Sequence, residues 1–174
     1  MKKLILLLLC LALCLSMVAC TIDDAPKKEQ NNATQAATNN KEPQTFGLNE
    51  SAVFSYLKFT ATDLKQSEGK DFFAPEAGNV FVGVKFTIEN VSDEEQSISS
   101  LLLFEAYVDD VKTSLSFTAS CVFDEGTLDG SIAPGKKLIG WYAVEVPANW
   151  KTLEIKVQAD LFSNSSATYV FQNN

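Results

Sequence analysis

The run from Val80 to Glu89 constrains the fold more than any other stretch: Val80, Val82, Val84, Phe86 and Ile88 alternate with Phe81, Gly83, Lys85, Thr87 and Glu89. A period of two places successive side chains on opposite faces of an extended strand, so one face is apolar core and the other mostly meets solvent. The same alternation puts Leu57, Phe59 and Ala61 on one side of an early strand, and Leu102, Phe104, Ala106 and Val108 on one side of a middle strand. Tyr142, Val144 and Val146, then Leu153, Ile155 and Val157, and finally Tyr169 and Phe171 repeat it. No segment beyond Phe46 sustains a helical apolar stripe, so crossover helices and a parallel sheet are not expected. Ala133-Pro134-Gly135-Lys136 fits a type II turn, in which Pro presets the first central φ and Gly supplies a positive second one. Polar breaks at Asn90 to Glu95 and at Val108-Asp109-Asp110-Val111 separate further strands. The expectation is an all-β antiparallel sandwich of about seven to nine strands over residues 46–174.

Ahead of this domain the composition changes twice. Residues 21–45 are rich in Asn, Gln, Ala, Thr and Lys, with Ile22 as the one aliphatic residue beyond Ala. Such a stretch buries too little apolar surface to offset its ordering entropy, and residues 20–45 are expected to be a disordered tether reaching roughly 25–30 Å. Residues 1–19 differ again, with cationic Lys2 and Lys3, an almost wholly apolar Leu4 to Ala19, and then Cys20. Sixteen apolar residues make about 24 Å of helix, short of the roughly 30 Å hydrocarbon core. The run Leu15-Ser16-Met17-Val18-Ala19-Cys20 resembles a bacterial lipoprotein signal, although Met17 stands where that signal usually has Leu. The resemblance implies cleavage between Ala19 and Cys20 and a diacylglyceryl group on the Cys20 thiol. Cys10 and Cys14 follow bulky leucines and do not fit. Two or more acyl chains hold a protein on a membrane where one does so only marginally.

The segment Asn79 to Asn90, followed by Ser92-Asp93-Glu94-Glu95, together with Gly130 to Gly135 and Gly140 to Pro147, resembles a family of bacterial immunoglobulin-like (telokin-like) lipoproteins of unknown function. It covers roughly residues 53–158 and implies an immunoglobulin-like sandwich, exported and tethered behind a polar linker. Its motifs are strand and turn grammar, so no active residue is carried over.

Charge and missing residue types narrow the chemistry. Loss of residues 1–19 removes two lysines and no acid, moving the formal charge from −8 to −10, which disfavours nucleic acid and anionic headgroups. The chain has no His and no Arg, so the commonest general base, the commonest metal ligand and the bidentate reader of phosphate are all missing. With Cys20 modified, Cys121 has no partner for a disulfide, and between Ser120 and Val122 it reads as a small buried hydrophobe. No cofactor is expected.

Three sets of residues carry the remaining candidate sites. Asp124, Glu125 and Asp129 could offer oxygen ligands to Ca²⁺, but solvated turns explain loop acids more simply. Asp93-Glu94-Glu95 and Asp109-Asp110 read the same way. Trp141 and Phe81 fall on the outward sets of their strands and, with Trp150, are candidate contact aromatics; the duller expectation is that a loop, or the chain near Phe46 or Phe72-Phe73, covers them. The reading favoured by these residues is a non-catalytic, membrane-anchored module that binds a protein or cell-envelope partner on the extracytoplasmic face. The alternatives are a Ca²⁺ or small-ligand sensor and an envelope hydrolase working through carboxylates or Cys121.

Overall fold

A computed structural model describes residues 27–29, 44–161 and 165–173. The expected leader 1–19, with its cleavage site at Ala19 and the lipidated Cys20, lies outside the described residues. Among those described, no helix is long and apolar enough to cross a membrane.

Among the described residues, twelve strands form two five-stranded sheets and a small flap. The first sheet runs in the order β1 (Lys27–Glu29), β3 (Ser51–Val53), β4 (Leu57–Ser67), β5 (Asn79–Asn90) and β10 (Lys137–Pro147). The second runs β2 (Thr45–Phe46), β12 (Ser166–Gln172), β11 (Thr152–Gln158), β7 (Phe104–Val108) and β8 (Val111–Thr113). The flap pairs β6 (Gln96–Ile98) with β9 (Gly130–Ile132). Every pairing is antiparallel except the two-residue contact of β2 with β12. The molecule is thus the antiparallel sandwich that the alternation predicts, with more strands because three-residue edge pieces are too short to show a period.

The interior is built by the predicted faces. Val80, Val82, Val84, Phe86 and Ile88 of β5 are buried, as are Leu57, Phe59 and Ala61 of β4 and the inward residues of β10, β11 and β12. Phe86 meets Tyr169 edge-on at 5.2 Å and Phe104 at 5.4 Å, while Phe104 stacks on Tyr142 at 5.2 Å. The Tyr169 hydroxyl donates to the Phe59 carbonyl at 2.7 Å and accepts from the Ala52 amide at 3.2 Å, so one buried side chain ties the second sheet to the first. The turn at 133–136 also forms as expected, with Gly135 at φ 69° and the Lys136 amide donating to the Ala133 carbonyl.

Two local expectations need correction, and a third, the polar break at 109–110, forms as a turn. Leu102 is exposed rather than core, because Ser100–Leu103 forms a helical turn, α1, and the alternation of this region begins only at Phe104. The tether expected over 20–45 contributes a strand at Lys27–Glu29: edge pairing needs only backbone groups, and Lys28 finds a carboxylate in Glu50 at 2.7 Å. The break at Asp109-Asp110 is a two-residue hairpin with both residues at positive φ, 46° and 69°, the backbone twist that suits such loops. The Asp109 carboxylate then accepts from the Lys151 and Thr152 amides, fixing the hairpin to the start of β11.

Candidate functional site

An apolar recess of about 350 Å³ lies at one end of the sandwich. Its wall is the strand β6 and the turn α1, and its opposite side is Ala159, Asp160 and Leu161 beyond β11. Each side is positioned by polar groups at its base. Asn90, wholly buried, donates through Nδ2 to the Glu94 and Ile132 carbonyls, while its Oδ1 accepts from the Ser92 amide and hydroxyl. One side chain thereby sets the β5–β6 turn and the flap. Asp129 accepts from the Ser100 amide and hydroxyl, both at 2.9 Å, and so satisfies the first turn of α1 from a distant loop. Tyr56 donates its hydroxyl to Asp160 across the floor. Over this frame Leu102 and Leu161 stand more than half exposed. The recess can enclose an apolar group against a polar base; the alternation of residues 102–108 places Leu102 in the core and so gives no sign of it.

The outer face of the first sheet carries a second apolar cluster of Phe81, Trp141 and Ala143 under Ala119, Val122 and Phe123. The exposure that contact roles for Phe81, Trp141 and Trp150 would need is absent: they are 0%, 5% and 3% exposed. The cover is the segment through α2 (Phe117–Ser120), and neither Phe46 nor Phe72-Phe73 supplies it: Phe46 is in the main core and Phe72 is fully exposed. Phe123 stacks on Trp141 at 5.1 Å, and the indole Nε1 donates to the Asp124 carbonyl at 3.0 Å. Lys65 and Lys85 approach the same ring at 5.1 and 5.9 Å. Gly83 makes the contact sterically feasible, since a Cβ there would lie 2.9 Å from the Phe123 ring. Trp150 folds back through its amide bond to the Pro147 carbonyl, joins the main core, and donates its Nε1 to Gln66.

Cys121 is a free, exposed thiol rather than a buried hydrophobe. The Ser120 amide donates to the Ser116 carbonyl in a helical turn, so Ala119, Val122 and Phe123 point inward at helical spacing and Cys121 faces out.

The weak Ca²⁺ set does not converge. Asp124 pairs with Lys70 at 2.9 Å, Glu125 pairs with Lys85, and Asp129 holds α1. Among the described residues no three His, Cys, Asp or Glu side chains gather as metal ligands. Charged groups elsewhere follow their partners: the hydrogen bond from Lys112 holds Glu105 below the usual carboxylate range, and Asp124 raises Lys70. Burial, with Glu105 adding to it, pushes the Tyr142 phenol up to about 12.

No curated protein matches this chain. Solved structures share its fold at low identity. A candidate lipoprotein of Bacillus subtilis, ycdA, aligns with a TM-score of 0.56 at 14% identity over 67% of this chain and 36% of its own. This chain therefore spans about a third of that protein's length. An uncharacterised β-sandwich protein of Clostridium difficile aligns at 0.52 with 18% identity, over 79% of this chain and 100% of its own. A conserved hypothetical protein of Bacillus anthracis gives 0.51 at 14%, over 63% and 87%. These likenesses bear on the fold, and the sequence itself decides the family: residues 46–167 match the model of the domain of unknown function DUF4352, and the chain belongs to that family.

Proposed function

We propose that this chain is a lipid-anchored protein of the extracytoplasmic face of a bacterial cell membrane, and that its sandwich is a non-catalytic interaction module whose contact surface is the apolar recess beside α1. The observation that carries the reading is the recess itself. Leu102 and Leu161, which line it, are more than half exposed, and contiguous exposed apolar surface marks sites of association. Anchoring is supported by Cys20 behind its apolar leader, and the Bacillus subtilis neighbour is itself a candidate lipoprotein. The non-catalytic part is supported by the absence of His and Arg and by the employment of Asn90, Asp129 and Tyr56 as framework bonds. The acidic mature chain favours a protein or envelope partner over nucleic acid.

A photo-crosslinking side chain at Leu102 in intact cells tests this, with the same group at exposed Val111 as the control. The proposal expects one discrete adduct from position 102, lost on Leu161→Asp with the melting temperature unchanged. Equal labelling from both positions, or none from 102, contradicts it.

A further inference from the structure

The edge of the first sheet carries an occupied docking site. β1 lies antiparallel on β3 in the register Lys27↔Val53, Lys28↔Ala52 and Glu29↔Ser51. Its central side chain, Lys28, makes three polar or ring contacts with the domain. Lys28 Nζ sits 2.7 Å from Glu50 Oε2, donates to the Thr45 carbonyl at 3.3 Å, and lies 5.6 Å from the centre of the Phe46 ring. The Gly47 amide donates to the same Glu50 oxygen at 2.8 Å. Carboxylate, carbonyl and ring face together select an ammonium group, and all three come from residues 45–50, on β2 and the turn that leads into β3. The strand edge of β3 supplies the backbone groups that any extended segment can pair with.

We infer that the β3 edge, with Glu50, Thr45 and Phe46, is an acceptor site for an extended lysine-bearing strand, and that Lys27–Glu29 of a second copy takes it in exchange for the chain's own. The described contacts of β1 are made to residues 45–53, and those contacts are the same whichever copy supplies the strand. The strand is three residues long and exposed at Lys27 and Lys28, which makes its release a low-cost local opening. Residues 30–43 join β1 to the domain, and fully extended they span at most about 46–50 Å, enough to reach a neighbouring body. With identical contacts, the choice between copies follows local concentration, which for a short linker is of millimolar order. Copies crowded on one membrane approach that figure; this last clause alone rests on the proposed anchoring.

Two arms test the site and its occupant. Lys28→Glu in the full chain sets two carboxylates against each other and empties the site. A synthetic peptide with the sequence of residues 24–32 should then bind at millimolar order and about tenfold more tightly than its Lys28→Ala version. Glu50→Gln in the chain should erase that difference. Failure to bind, or equal binding of the two peptides, overturns the site.

For the occupant, chains carrying Lys27→Cys are mixed with chains carrying Val53→Cys, both with Cys121→Ser. They are placed on phospholipid vesicles, or concentrated to about millimolar if intact mass shows no lipid on Cys20. Oxidation should give a mixed dimer in at least about fivefold excess over Lys27→Cys mixed with Lys112→Cys. Equal yields overturn the exchange while leaving the anchoring to be judged by the mass alone.

Discussion

The two faces of β5 differ in what closes them. Inward, Val80, Val82, Val84, Phe86 and Ile88 meet a complete second sheet, and Phe86 is locked between Tyr169 and Phe104. Outward, Phe81 and Gly83 are covered by one loop segment through Phe123, while Lys85, Thr87 and Glu89 are only half-buried. A strand's alternation states which face is core but not whether a sheet or a loop covers the other. The sheet-covered face should be the stiffer and costlier to disturb.

Phe86→Ala gives the largest expected effect, a loss of about 3–5 kcal/mol in denaturant unfolding, because a fully buried ring leaves a cavity that two sheets cannot collapse. Phe123→Ala should lose less, about 2 kcal/mol, since the covering loop can settle or lift. A ranking in the opposite order would break the comparison. Gly83→Val sharpens it: the added side chain meets the Phe123 ring and should cost about 1–3 kcal/mol. With Trp150→Phe as background, Trp141 emission should shift to the red as the loop lifts. Combining Gly83→Val with Phe123→Ala should cost less than the two changes added, because removal of the ring removes the clash.

How much of this was legible follows from the range of the forces involved. β5 and the 133–136 turn are written in neighbouring residues, by alternation and by the φ values of Pro and Gly, and both formed as read. The burial of Trp141 depends on a segment some twenty residues earlier, and no local period could reveal it. Leu102 and Cys121 were misplaced for a shared reason: short helical turns, one of them held by the distant Asp129, interrupt a run whose composition suits a strand. The strand at Lys27–Glu29 has no apolar pattern at all, because its partners are backbone groups and a single carboxylate. The recess was invisible for the same reason as Leu102.

The smallest expected effect is a pH dependence. Tyr142 and Tyr169 are both raised by burial from an ordinary value of 10.0. A raised folded value means that stabilisation is complete below the unfolded value and is lost as pH climbs through the folded one. For Tyr142 that window runs from about 10 to about 12. Melting temperatures should therefore fall more steeply above pH 10 than below it, and Tyr142→Phe should soften that fall. An unchanged slope in the variant would show that this phenol does not titrate with unfolding.

The proposed lipid anchor is tested by the intact mass of the chain purified from its native membrane. The predicted result is a polypeptide beginning at Cys20 and heavier by at least a diacylglyceryl group. A chain that keeps residues 1–19, or one that begins at Cys20 without added mass, would contradict it.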